Sequence, residues 1–234
     1  MKKANELRKI EIVHNFTKYA AGSVLIKWGD TWVLCTASAS DKVPPFLKGS
    51  GKGWVTAEYS MLPRANRERS RRDIDKLKLS GRSAEIQRLI GRSLRAAVDR
   101  EALGERTITV DCDVLQGDGG TRTASVTGGF VALALACRKL MAEGKVTKNP
   151  IIHQVAAVSA GIVDDVPLLD LPYAEDSRAQ VDLNCVMNEK GELIELQGTG
   201  EGRSFTLSEQ QELVRLCAKG IGELLEKQRR VLQG

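Results

Sequence analysis

Three stretches of this chain carry residue types at spacings that can do chemistry. The first is Gln116–Ser125, in which Gly117, Gly119 and Gly120 lead into Thr121 and Arg122. Glycines lack Cβ, so such a turn can adopt positive φ and lie close against a ligand. Successive N–H groups in a turn of this kind form a concavity for an anion, and a helix N-terminus behind it adds positive potential. Arg122 can grip two oxygens of a phosphate with its fork. The turn is not a P-loop, because no Gly-Lys-Ser/Thr follows, and Gly-rich turns of this kind also occur with no ligand at all. The second stretch is Leu169–Asp182, with carboxylates at Asp170, Glu175, Asp176 and Asp182. Asp182 interrupts the apolar run Val181–Met187, and a carboxylate on a buried strand needs a partner; beside phosphates a divalent cation is a natural one. The third is Arg64–Lys78, with seven basic residues (Arg64, Arg67, Arg69, Arg71, Arg72, Lys76, Lys78) against three acidic ones. That block holds +4 of the chain's net +5 and points to a polyanionic partner. An arginine-lined anion pocket beside carboxylates is equipment for phosphoryl transfer, where positioning and charge neutralisation do most of the work.

The elements that must position these groups follow from pattern. The run Arg106–Leu115 alternates β-branched residues, and Val126–Cys137 is apolar and of helical length, so the Gly-rich piece is a strand-to-helix turn, with the helix predicted over about 123–142. A strand at Lys9–Val13 precedes a hairpin over Gly22–Ala37 with its turn at Gly29-Asp30. A strand is expected at Trp54–Tyr59 and a helix at about Ala84–Val98, capped by Ser83. On that helix Ile86, Leu89, Ile90 and Leu94 suit the core. Arg88, Arg92 and Arg95 share another face, which is solvated or meets a subunit or RNA. Further strands are expected at His153–Val163, Gln180–Met187 and Glu192–Gln197, a loop at Gly198–Gly202, and an amphipathic helix from Thr206 to about Arg230. The second half, taken to begin at the 106–115 strand, resembles the first in order. The expected fold is therefore α+β: one domain of two pseudo-repeated strand-strand-helix halves spanning 1–234.

Aromatic residues make up only 4%, so any nucleic-acid surface must be electrostatic rather than built on stacking. Cys35, Cys112, Cys137, Cys185 and Cys217 are widely spaced, with no CxxC or Cys/His cluster, so a structural zinc is not expected and the thiols read as small buried hydrophobes. No signal-peptide core opens the chain and no run approaches membrane-spanning length, so a cytoplasmic protein with no membrane partner is expected.

The motifs Gly53-Trp-Val-Thr-Ala-Glu-Tyr-Ser-Met-Leu-Pro-Arg64, Gly81–Ala96, Val110–Ala124 and Tyr173-Ala-Glu-Asp-Ser177 together resemble bacterial ribonuclease PH, in order and over nearly the whole chain. The resemblance implies a phosphorolytic 3′-to-5′ exoribonuclease and nucleotidyltransferase acting on tRNA precursors and other RNA 3′ ends, with inorganic phosphate as co-substrate. By resemblance, Arg82, Gly120, Thr121 and Arg122 hold the phosphate. Asp176 and Asp182 are the catalytic carboxylates, holding Mg²⁺ or serving in acid catalysis, and Arg64, Arg69 and Arg72 bind RNA. It also implies a homohexameric ring, a trimer of dimers. Ser83 stands where Thr is usual and Gly117 where Ala is usual; the first keeps a hydroxyl and the second loosens the turn. The stretch Asp73–Leu79 is less typical of the family. Two rival readings are a non-catalytic RNA-binding subunit of an exosome-like ring, which would lack part of the pocket or acid pair, and a hydrolytic two-metal nuclease, which would need more carboxylates.

Overall fold

The computed structural model describes residues 3–76 and 78–233. Met1, Lys2, Leu77 and Gly234 lie outside it, as does the side chain of Lys76 counted in the basic block. The strands are β1 (Ile10–His14), β2 (Gly22–Trp28), β3 (Thr31–Ser40), β4 (Trp54–Met61), β5 (Thr107–Gln116), β6 (Val155–Val163), β7 (Val166–Leu169), β8 (Val181–Asn188) and β9 (Leu193–Gly200). The helices are α1 (Gly81–Arg95), α2 (Arg100–Leu103), α3 (Thr121–Ala142), α4 (Tyr173–Asp176) and α5 (Leu207–Gln233).

The strands form two sheets, ordered β1-β2-β3-β5-β4 and β7-β6-β8-β9. Every pairing is antiparallel except β4 with β5, which run parallel with Trp54 opposite Thr107 and Met61 opposite Val114. A parallel pair needs a crossover, and α1 and α2 supply it. The class is α+β as expected, each sheet followed by a long helix. The halves divide elsewhere than the residue order suggested: β5 lies inside the first sheet between β3 and β4, so the break falls after α3. Alternation marks Thr107–Gln116 as a strand; it does not say which strands it joins.

α3 packs on β2 and β3 of one sheet and on β6 of the other. It is therefore apolar all round, with Val126, Phe130, Val131, Leu133 and Cys137 buried. By length and composition alone it would serve to cross a membrane, contrary to the expectation that no run approaches that length; 78% of its apolar stretch is buried within this chain. The helix sits tight on the sheet because Gly128 has no side chain: a Cβ there would lie 2.8 Å from Ile26 and 3.1 Å from the Cys35 sulfur. One continuous cluster of buried side chains runs from Val24 and Ile26 through Leu133 to Val155, Leu183 and Leu224, joining both sheets. All five cysteines are buried and free.

α1 begins at Gly81, three residues earlier than predicted, because Ser80 is its cap: the Ser83 N–H donates to the Ser80 Oγ at 3.0 Å. Ser83, the predicted cap, is inside the helix with its hydroxyl 2.8 Å from that of Ser80. α5 and β9 run three residues longer at their C-terminal ends than expected, so Gly198–Gly200 is strand rather than loop.

Candidate active site

The parallel pair explains how the basic side chains converge. The chain leaves the carboxyl end of β4, runs through the basic block and enters α1, whose second residue is Arg82. It leaves the adjacent carboxyl end of β5 through the Gly-rich turn and enters α3, whose second residue is Arg122. Crevices at the carboxyl ends of parallel strands are where helix N-termini collect and anions bind. The block and the turn are also tied directly: the Gly117 N–H donates to the Ala65 carbonyl at 2.8 Å. Ala65 is buried while Arg64, Arg67, Arg69, Arg71 and Arg72 are exposed, and among the described residues none of these five is paired with a carboxylate.

In the turn, Gly119 has φ +75° and Gly120 φ +67°, both left-handed. A Cβ on Gly119 would lie 2.4 Å from the Leu171 carbonyl oxygen, so only glycine lets the turn press against Leu171–Tyr173. The Tyr173 N–H donates to Asp118 Oδ1 at 3.3 Å across the same contact. Tyr173 opens the short helix α4, which ends at Asp176, so the anion turn and the first acid are packed together. The Tyr59 hydroxyl lies 2.8 Å from Thr121 Oγ1 and fixes that side chain, which is buried. Burial, more than the opposing pull of Thr121 and the nearby arginines, raises the phenol's pKa.

Asp182 reaches the same place from β8, where it pairs with Gly161 on one side and Thr199 on the other. It is half-buried and accepts a 2.9 Å hydrogen bond from Asn184 Nδ2. Burial first, and the neighbouring Asp176 second, push its pKa from 3.8 up to about 6, although Arg122 and Asn184 pull the other way. Asp176 is raised too, by burial and by Glu201, against the charges of Arg82, Arg122 and Arg8. Six groups from six segments therefore share one field: Arg8, Arg82, Arg122, Asp176, Asp182 and Glu201. Each predicted phosphate-binding or catalytic residue (Arg82, Gly120, Thr121, Arg122, Asp176, Asp182) falls within this neighbourhood. Arg64, Arg69 and Arg72 are exposed on the block that leads from β4 to α1. Asp170 does not join the acids; it is buried under the turn as the partner of Arg8, 2.7 Å away.

Several residues of the site carry no local signal in the sequence. Arg122 is held by Glu85 Oε1 at 3.3 Å and Gln197 Oε1 at 3.2 Å, and Gln197 Nε2 in turn donates to Glu85. Glu201 follows the end of β9. They become neighbours only once α1, α3 and β9 are assembled.

The arginine stripe of α1 splits by role. Arg92 pairs with Glu195 at 2.7 Å. Arg95 donates to the Val55 carbonyl at 2.8 Å and covers the Trp54 ring at 4.3 Å, its pKa lowered by burial and by Arg92 and Arg100. With Arg88 they line a groove of about 270 Å³ between β4 and α1, which no carboxylate lines.

Hard carboxylate oxygens are ligands for Mg²⁺ or Ca²⁺. The described residues include no cluster of three or more His, Cys, Asp or Glu side chains that would enclose a metal. Asp176 and Asp182 are the carboxylates of this neighbourhood that could serve as ligands to such a cation.

Comparison with known proteins bears on the whole chain. Among solved structures, rice (Oryza sativa) Rrp46 superposes with a TM-score of 0.80 at 16% identity, over 99% of this chain and 98% of that one. A chain of the Archaeoglobus fulgidus exosome, solved with RNA bound to its active site, gives 0.83 at 23% identity over 97% of this chain and 90% of that one. A chain of an archaeal exosome core gives 0.77 at 23% identity, over 97% and 89%. At such identities the likeness speaks for the fold. The family is fixed by the sequence itself: residues 6–139 match domain 1 of the 3′ exoribonuclease family and residues 153–219 match domain 2. With the first match alone spanning more than half its length, this chain belongs to the 3′ exoribonuclease (RNase PH) family.

Proposed function

We propose that the chain, taken over 1–234 as one catalytic unit, is a phosphorolytic 3′-to-5′ exoribonuclease of the bacterial ribonuclease PH kind, trimming tRNA precursors in the cytoplasm. The observation that carries this reading is the coincidence of two arginines and a left-handed glycine turn with two carboxylates whose proton affinity is raised. An anion pocket built beside the acids suits an attacking phosphate, whereas hydrolysis would call for a water.

In this reading Arg82, Arg122 and the turn at Gly120 and Thr121 hold inorganic phosphate. A phosphate oxygen bonds to the phosphorus of the last phosphodiester, the bond from that phosphorus to the 3′ oxygen breaks, and the terminal residue leaves as a nucleoside diphosphate. The 3′ oxygen takes a proton as it departs. In this reading Asp182, with its pKa near 6, keeps a protonated fraction of about one-tenth at pH 7 and donates that proton. When ionised, Asp176 and Asp182 would hold Mg²⁺, which would supply neutralisation of charge on the phosphates. Arg64, Arg69 and Arg72 contact the RNA backbone upstream, and a homohexameric ring would gather six such blocks around the substrate.

A second reading is a non-catalytic RNA-binding subunit of an exosome-like ring. It is favoured by the similar solved structures, two of which are exosome chains and which by themselves lend it more support than the first. What supports the first reading instead is that this chain carries both the arginines and glycine turn of the pocket and the acid pair. A short 3′-tailed RNA incubated with Mg²⁺, with and without inorganic phosphate, separates the two. Diphosphates released only with phosphate support the first; bound RNA with no product supports the second. Monophosphates released without phosphate would defeat both.

A further inference from the structure

The N-terminal segment contributes a side chain that the proposed chemistry does not use. Arg8 is largely buried, and its donors are committed: Nε and Nη2 to Asp170 Oδ1 at 3.1 and 2.7 Å, Nη1 to the Asp118 carbonyl at 2.5 Å, and Nη2 also to the Gly119 carbonyl at 3.4 Å. Asp170 is buried with left-handed backbone at φ +58° and accepts from the Arg8 N–H at 2.6 Å and from Trp28 Nε1 at 2.8 Å as well, so it anchors Arg8 in one pose. Thr31, fully buried at the head of β3, grips the turn from the same side. Its Oγ1 accepts from the Asp118 N–H at 2.9 Å and donates to the Gly119 carbonyl at 2.6 Å.

In a trans peptide the C=O and the following N–H point in opposite directions. Fixing the Asp118 and Gly119 carbonyls toward Arg8 and Thr31 therefore aims the N–H groups of Gly119 and Gly120 the other way. Among the described residues no protein acceptor takes either N–H. Glycines at positive φ can flip such planes at little cost, so the turn by itself would not hold them. We propose that Arg8 and Thr31 are positioning residues: they lock two consecutive peptide planes so that their amides face the anion, and Asp170 holds Arg8 to the task. This rests on the reading of the turn as a phosphate site.

The test compares Thr31→Val, Thr31→Ser and Arg8→Lys with wild type. Thr31→Val is near-isosteric and removes only the hydroxyl latch, so it stays informative if the charge variant fails to fold. The expected result is a rise of about tenfold in KM for phosphate, and an equal loss in affinity for inorganic phosphate by titration calorimetry, in Thr31→Val and Arg8→Lys. Thr31→Ser should restore wild-type values, and RNA affinity without phosphate and particle mass should not move. Unchanged phosphate affinity in Thr31→Val and Arg8→Lys, with a wild type that binds phosphate, would overturn this inference alone. So would failure of Thr31→Ser to restore it, or a parallel loss of RNA affinity and assembly. A wild type that binds no phosphate would overturn the underlying reading and this inference with it.

Discussion

Asp182→Asn should stabilise the protein while abolishing its activity, and the stabilisation should depend on pH. A carboxyl whose pKa rises from 3.8 to about 6 on folding binds its proton more tightly in the folded state. The unfolded chain therefore loses that proton first as pH increases, and wild-type stability falls across the window from about 4 to about 6, then levels off. At 1.36 kcal/mol per tenfold change, the full displacement corresponds to about 3 kcal/mol. Because Asp182 is only half-buried and solvent screens part of the field, about 1.5–3 kcal/mol is the working range. Asparagine keeps the volume and still accepts from Asn184 while carrying no charge beside Asp176. The variant should thus match wild type near pH 4 and exceed it above pH 6.5, by about 3–12 °C in Tm for a chain of this size.

The assay is thermal unfolding at pH 4.5, 5.5, 6.5 and 7.5, at one protein concentration because assembly makes Tm concentration-dependent, and in EDTA. Phosphorolysis is measured on the same preparations with Mg²⁺ in place of EDTA. Adding Mg²⁺ at pH 7.5 should raise the wild-type Tm and leave the variant nearly unmoved, since the cation relieves the repulsion that the substitution removes. A variant less stable than wild type at pH 7.5, or a gain equal at pH 4.5 and 7.5, would refute the reasoning. Either would mean that the Asp182 charge is satisfied in the folded state and the acid pair is not strained.

Two further outcomes follow from the site's contacts. Glu85→Gln removes the carboxylate that holds Arg122 at 3.3 Å and should lower KM for phosphate by about two- to fivefold, the scale of an exposed ion pair; a rise would mean that Glu85 orients Arg122 rather than competing for it. Arg69→Ala, in the exposed block, should flatten the slope of log K against log salt for single-stranded RNA by about 0.7, one phosphate contact, and an unchanged slope would show that Arg69 faces away from the strand.

What could be read from the sequence was what local chemistry dictates. The turn at Gly117–Arg122 is legible because a glycine run between a β-branched strand and an apolar helix marks a strand-to-helix turn, and Thr121 and Arg122 add side chains suited to an anion. The basic block stood out because one segment held most of the chain's net charge. Asp182 stood out as a lone acid in an apolar strand. The misread details have physical reasons as well. Ser80 and Ser83 both have a cap's side chain, and the choice between them is made by which hydroxyl meets which amide in three dimensions. The neighbour of a strand is not encoded in its alternation, so chain order puts β5 in the second half while pairing puts it in the first. An apolar helix reads the same whether lipid or two sheets surround it, as α3 shows. Arg8, Thr31, Glu85 and Glu201 lie in stretches of ordinary composition and gain significance only from what the fold sets beside them.

The placement of those four argues for how such a site is held together. The groups of the proposed site come from both halves, with Arg82 and Arg122 on helices that follow β4 and β5, Asp182 on β8, and Asp176 on the short α4. Like charges within each set repel, so the assembly needs contacts that do not depend on substrate. The structure supplies one at each boundary: the Arg8–Asp170 pair joins the N-terminal segment to the loop before α4, Gly119 rests on Leu171, and Glu85 and Gln197 tie α1 and β9 to Arg122. Of these, the first is buried and its carboxylate accepts from both Arg8 and Trp28, whereas the last is exposed at Glu85. A buried pair fixes geometry because breaking it strands a charge, whereas an exposed pair can exchange partners at small cost. In the proposed function the rigid contact therefore belongs to the amides that would be aimed at phosphate, and the exchangeable one to the arginine that would release a carboxylate before taking it.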